Sequence, residues 1–352
     1  MSRSVLVARL DSAGDVLLAG PAIRAVAASS DRVVLLCGRR GVDAARLLPG
    51  VDELICWTAP WIEPDPAAAV PREIRWLIGQ IARRGVDEAV IFTSFHQSAL
   101  PLALLLRLAG VARVSAVSDD YPGSLLDVRH HVETGVPEAR RALSVAAAAG
   151  FPLPDDDDGR LSVRDELPDV SHVVQAENPY VVVHPGASAP ARTWPAGHFA
   201  ELVPMLADSG LTPVVTGSAA ESELTRAITA GRGVDLGGRL SFAELAAVIK
   251  GACAIVVGNT GPAHLAAAVG TPVVSLFAPT VPASQWRPHR VPHILLGDQS
   301  APCKNSRARN CPIDGHPCLS SVTPAQVLLA VRSLVKIAGT SVPDRARDVV
   351  SV

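Results

Sequence analysis

The stretch "GNTGPAHLAAAVGTPVVSLFAP" occupies residues 258–279. The run before it, "CAIVV", and the run inside it, "PVVSLF", are short, apolar and rich in β-branched residues. Runs of that length without polar alternation read as strands buried on both faces, the signature of a parallel sheet. Asn259, Thr260, Gly261 and Pro262 stop the first of them. Pro262 falls at the start of the next helix, where a missing N–H costs nothing, with Thr260 or Gly261 as N-cap. His264 follows within the first turn. A helix start of this kind leaves unpaired N–H groups that bind anions. The same residues also suit an ordinary capped core helix with a satisfied histidine, and the local pattern leaves both readings open.

Three other stretches repeat the transition from apolar run to small polar turn to helix. "HPGASAPARTWP" at 184–195 follows "YVVV". Its small residues let backbone approach a ligand closely. Ser188 offers a hydroxyl and Arg192 a planar fork suited to phosphate, although a surface loop with a solvated arginine has the same composition. "TGSAAESE" at 216–223 places Glu221 where it either accepts from ribose hydroxyls or complements a helix dipole. "RLDSAGDVLLAGPAI" at 9–23 has a permissive Ser12-Ala13-Gly14 turn with Asp15 opening the helix. Asp15 is then a helix cap, or a carboxylate directed into an inter-domain cleft, where it would serve as the base of a group transfer.

Apolar runs alternate with helical patterns along most of the 352 residues, which predicts an α/β architecture with parallel sheets. Strands are expected in "SVLVARL", "RVVLLCG", "DELICW", "DEAVIFTS" and "RVSAVS", and again in "YVVVH", "TPVVTGS", "CAIVVGN" and "PVVSLF". Two series of similar size suggest two Rossmann-like domains facing across a cleft, with ligands at the carboxyl ends of the strands. The expected boundaries are 1–172 for the first domain, 173–325 for the second, and 326–352 for a terminal helix and tail packing back toward the first. The acidic run 155–158 reads as a solvated loop near the boundary.

Hydrophobic residues make up 48% of the chain and charged ones 19%, enough to bury two cores. A net charge of −2 gives no general attraction to nucleic acid or to anionic membranes. The first strand is cut short by Asp11, unlike a signal peptide, and no uncharged apolar run reaches membrane-spanning length. A cytoplasmic protein with reduced cysteines is expected. No G-x-G-x-x-G follows the first strand and no G-x-x-x-x-G-K-[ST] occurs, which disfavours a dehydrogenase and excludes a P-loop enzyme. No arrangement suggests a catalytic metal or another cofactor. "CKNSRARNCPIDGHPC" at 303–318 gathers Cys303, Cys311, Cys318 and His316. Its spacing lacks a tight C-x-x-C pair, so an inert loop is favoured over a zinc site or a disulfide.

Taken in order, "LDSAGDVLLAGPAI", "HPGASAPARTWPAGHFAELV", "TGSAAESEL", "DLGGRLSFAELAAVI", "GNTGPAHLAAAVGTPVVSLF" and "CPIDGHPCLSSVTPAQV" resemble glycosyltransferase family 9, the heptosyltransferases of lipopolysaccharide core assembly. The resemblance implies a GT-B fold and inverting, metal-independent transfer of a heptose from a nucleotide sugar, usually ADP-heptose. It implies Asp15 as the base. It places the donor diphosphate at Ser188, Arg192, the Thr260-Gly261 turn and His264, and the donor nucleoside at Glu221. Two positions depart from the family's pattern. Arg192 stands where lysine is frequent, which keeps the cation. Asn259 stands where aspartate is frequent, which removes one negative charge near the phosphates and weakens the implied role in binding donor hydroxyls. The acceptor is a glycan, a glycolipid or a small molecule, and a glycolipid would bring peripheral membrane contact. Two rivals share the architecture: a nucleotide-sugar 2-epimerase and a non-catalytic sugar-nucleotide-binding protein.

Overall fold

The computed structural model describes residues 3–175 and 178–339. The chain divides into two compact units between Arg164 and Asp165, ahead of the 172/173 boundary expected from composition. The segment from 165 to 175 carries no helix or strand, so its polar, Pro-rich composition marks a connection without fixing where it is cut.

The first unit is a six-stranded sheet of β1 (Ser4–Arg9), β2 (Arg32–Cys37), β3 (Glu53–Cys56), β4 (Glu88–Ile91), β5 (Arg113–Val117) and β6 (Val128–His130), in the order β3-β2-β1-β4-β5-β6. Every pairing is parallel. β1 is central and buried along its whole length, which is why "SVLVAR" shows no polar alternation. The helical pattern after β1 splits into two helices, Ala13–Leu18 and Gly20–Ala27. Pro21, in the first turn of the second, has no N–H to continue the first.

The second unit repeats the plan. β7 (Tyr180–His184), β8 (Thr212–Val215), β9 (Val234–Asp235), β10 (Ala254–Gly258), β11 (Val273–Leu276) and β12 (His293–Leu296) form a parallel sheet in the order β12-β11-β10-β7-β8-β9. Counted from its own first strand, each sheet runs 3-2-1-4-5-6. The chain therefore leaves in opposite directions from β1 and β4, and from β7 and β10. The carboxyl ends of those strand pairs are switch points, where ligands bind in open α/β sheets.

The last helix, Pro324–Gly339, places Val327, Ala330, Val331 and Leu334 in the core of the second unit. The 326–352 segment, expected to pack back toward the first domain, thus contributes residues as far as Leu334 to the core of the second unit. The i, i+3, i+4, i+7 spacing of these residues makes one apolar stripe, and the stripe is used up against β10, β11, β12 and the helix Ala196–Asp208. The rest of that segment lies outside the described residues.

Trp194 ties this helix to the turn after β7. It is buried, meets Phe199 edge to face at 4.8 Å, and donates from Nε1 to the Val322 carbonyl at 3.0 Å. Trp194→Ala should destabilise the second unit by about 3–5 kcal/mol in chemical denaturation. Trp194→Phe, which keeps the packing and leaves the carbonyl unpaired, should cost about 1–3 kcal/mol.

Candidate functional site

At the switch point of the second sheet, three turns converge. Val257 in β10 pairs with His184 in β7, and Val183 in β7 pairs with Val215 in β8. Their exits therefore open side by side. After β10, Thr260 is the extended N-cap of the helix Gly261–Val269, with Pro262 in its first turn. This is the local structure expected from "NTGPAH". After β7 the chain passes exposed Ser188 and makes a short 3-10 turn, Pro190–Arg192. After β8 a second 3-10 turn, Ala219–Glu221, begins the next helix.

Glycine sets the spacing of these turns. A methyl on Gly258 would stand 2.8 Å from the Arg192 carbonyl oxygen, so the Arg192 backbone rests on the end of β10. A methyl on Gly186 would collide with the Glu221 carboxylate. Glu221 is fixed by Ser218, whose backbone N–H and Oγ donate to Oε2 at 2.7 and 2.8 Å. It is thus both a cap and a carboxylate held over the "HPG" turn. His184 below it is buried, and burial holds its imidazole well below the ordinary value against the pull of Glu221, so it is neutral at pH 7. Its Nδ1 pairs with Thr216 Oγ1 at 3.0 Å. Asn259 and His264 are buried, each 4% exposed. Asn259 Nδ2 has no hydrogen-bond partner among the described residues. The structure thus gathers Ser188, Arg192, Glu221, Asn259, Thr260, Gly261 and His264 at one strand edge.

The cysteine segment braces the same edge. Ala191 N–H donates to the Arg309 carbonyl at 2.9 Å, and His316 Nε2 pairs with the Ala191 carbonyl at 3.0 Å. Cys303 and Cys318 are buried in the second core. Burial, with Cys303 and Cys311 close by, pushes the Cys318 thiol up to about 11. All three cysteines are free thiols. Among the described residues, no group of three His, Cys, Asp or Glu side chains is arranged to hold a metal ion.

Asp15 belongs to the first unit, at the switch point between β1 and β4. It lies in the first turn of the helix Ala13–Leu18, with Oδ2 accepting from Ser12 Oγ at 2.7 Å. Its Oδ1 is 3.1 Å from Arg9 Nη2. Arg9 ends β1 and is 2% exposed. Around it stand two carboxylates that sequence reasoning missed. Asp11 Oδ2 lies 2.8 Å from Nε, and Glu138 Oε2 lies 3.3 Å from Nη2. Ser94, after β4, receives a 2.6 Å bond from Nη2, and Gln97 donates to Asp11 Oδ1. Burial alone would lower the guanidinium's pKa, but the three carboxylates more than offset it and keep Arg9 cationic. Burial raises the carboxyls of Asp11 and Glu138 despite Arg9, and the Asp15 charge raises both further. Asp11 stood in the quoted "RLDSAGD" motif, two residues beyond Arg9. Glu138 had no such signal, because it opens the distant helix Glu138–Ala148.

A family model described as glycosyltransferase family 9 (heptosyltransferase) matches residues 93–316. The chain belongs to glycosyltransferase family 9. Among its relatives, this enzyme is 29% identical over 306 residues to lipopolysaccharide heptosyltransferase 1 of Pseudomonas aeruginosa, covering 79% of each chain. Its match to lipopolysaccharide heptosyltransferase 2 of Escherichia coli, also 29% identical, spans 46% of this chain and 48% of that protein. The solved structure of E. coli ADP-heptose lps heptosyltransferase II superposes with a TM-score of 0.76 at 21% identity, covering 96% of this chain and 100% of that one. E. coli heptosyltransferase WaaC with ADP gives 0.68 at 20% identity, covering 94% and 99%. These two structures share the GT-B fold with this glycosyltransferase. No helix among its described residues is long and apolar enough to cross a membrane.

The close approach at Gly258 is testable without substrate. The atom that an added methyl would meet is backbone, which cannot swing away. Gly258→Ala should therefore lower stability by about 1–3 kcal/mol in chemical denaturation.

Proposed function

We propose that this family 9 glycosyltransferase moves a heptose from a nucleotide heptose, ADP-heptose first among them, to a hydroxyl of a glycan, glycolipid or small molecule. The transfer inverts the anomeric carbon and uses no metal ion. The second unit takes the donor and the first takes the acceptor. The observation that carries this reading is the convergence of three glycine-lined turns at the second switch point, with a helix start and Arg192 among them. The names of its relatives, lipopolysaccharide heptosyltransferases, support heptose as the sugar. The neighbour solved with ADP supports the nucleotide.

In this reading the donor diphosphate rests on the N–H groups at the start of the helix Gly261–Val269, a dipole end that favours negative charge. Arg192 adds a fixed cation and Ser188 a hydroxyl. His264 donates to the same phosphates as charge builds on the leaving group. Glu221 accepts from the nucleoside, and Asn259 bonds donor hydroxyls without adding a charge beside the phosphates. The acceptor oxygen attacks the anomeric carbon from the face opposite the diphosphate. The bond from that carbon to the phosphate oxygen breaks, and the electron pair leaves with the diphosphate. The acceptor proton passes to Asp15. A glycolipid acceptor would hold the enzyme at a membrane surface, and no nucleic acid partner is involved.

Two variants test the two halves of this reading separately. Arg192→Ala should weaken binding of ADP-heptose by roughly 1.5–3 kcal/mol, the worth of a charge-assisted hydrogen bond. Unchanged affinity in calorimetric titration would remove Arg192 from the donor site. Asp15→Asn keeps the shape of the side chain and one oxygen for Ser12 while losing basicity. It should fold and bind donor normally yet turn over at least about 10²-fold more slowly. Near-normal turnover would leave Asp15 a helix cap and nothing more.

A further inference from the structure

Arg9 Nη2 carries two hydrogens, yet three acceptors stand around it. Ser94 Oγ is at 2.6 Å, Asp15 Oδ1 at 3.1 Å and Glu138 Oε2 at 3.3 Å. At least one hydrogen is therefore shared. Glu138 is the carboxylate with no solvent exposure, and its other oxygen has no hydrogen-bond partner among the described residues. A buried carboxylate in that position draws strongly on the nearest cation. Asp15 is the most exposed of the three carboxylates, 20% against 9% for Asp11 and 0% for Glu138. It is the one able to reach a substrate, and also the one that a guanidinium held to itself alone would make a poor base.

We propose that Glu138 is a positioning residue for Asp15 and acts through Arg9. By taking a share of Nη2, it fixes the guanidinium at the first switch point and keeps it from engaging Asp15 fully. Asp15 is thereby oriented and stays basic enough to accept a proton. Ser94 competes for the same nitrogen and can donate onward to Glu138 Oε2 at 3.4 Å. The other charges facing Glu138 and its cluster are Asp11, Arg141, and, acting on those two, Arg40 and Asp119. Of these, Asp11 sits on Nε. His130, on β6, faces the same helix through Ser144. The proposal rests on Asp15 being the base.

The test is the pH dependence of kcat with saturating donor and acceptor. Glu138→Gln removes one competing charge, so Arg9 engages Asp15 more strongly and lowers its basicity. The acid limb should move to lower pH by about half a unit or more, the plateau should fall, and donor KM should stay as it is. Glu138→Asp keeps the charge but draws it back from Nη2 by one methylene, and should move the limb in the same direction. It decides the matter alone if Glu138→Gln fails to fold. A limb unmoved in the folded variants, or moved to higher pH, overturns the proposal. That failure differs from failure of the base reading, which would show as near-normal turnover of Asp15→Asn.

Discussion

A single buried guanidinium, that of Arg9, organises the first unit's switch point. Leaving such a cation unpaired in the interior would cost several kcal/mol, so every element around it must bring a partner. Asp11 comes from the turn after β1, Asp15 from the following helix, Ser94 from the end of β4 and Glu138 from the helix Glu138–Ala148. Arg141, one turn along that helix, donates from Nε to the Thr93 carbonyl at 3.0 Å and holds the β4 exit from its other side. The cluster therefore closes the end of the sheet with charge rather than with apolar packing. Three carboxylates on one cation cannot all be equally well served. Asp15, 20% exposed, is the one of the three nearest solvent.

The second unit solves the same topological problem with almost no charge. Its switch point is lined by glycine, and the groups presented there are backbone N–H at a helix start, with hydroxyls, an amide and imidazoles. Arg192 and Glu221 are the charged exceptions, and each is tied down locally. The Arg192 backbone rests on Gly258, and Glu221 is clasped by Ser218. An anionic donor supplies its own charge, so a site poor in carboxylates and rich in N–H groups suits it. In the proposed reaction the acceptor hydroxyl loses its proton to a carboxylate of the first unit. One strand order thus carries two kinds of environment, according to which side chains end its first and fourth strands.

Much of this is legible in the sequence, and what is not has physical causes. The long buried strands β1, β2, β7 and β10 announce themselves because both faces are covered and no polar residue interrupts them. β6, "VRH", and β9, "VD", escape notice. They are short edge strands with charged residues, and their pairing is decided by the neighbouring strand rather than by their own apolar pattern. β12, "HILL", is half-buried, which hides it in the same way. The turns at the second switch point are readable because each lies within a few residues of a strand end, where turn chemistry is local. Glu138 was unreadable for the opposite reason: it reaches Arg9 across 129 residues, and a glutamate opening a helix is ordinary in sequence. The amphipathic stripe of the terminal helix says that it packs, not against which sheet.

The most direct measurement is the fate of ADP-heptose mixed with this protein, acceptor glycans and a metal chelator. ADP should be released only when an acceptor is present. The new glycosidic bond, read by NMR, should have the anomeric configuration opposite to that of the donor. Release of ADP without acceptor, retention of configuration, loss of transfer in chelator, or epimerisation of the donor sugar would contradict the proposed transfer.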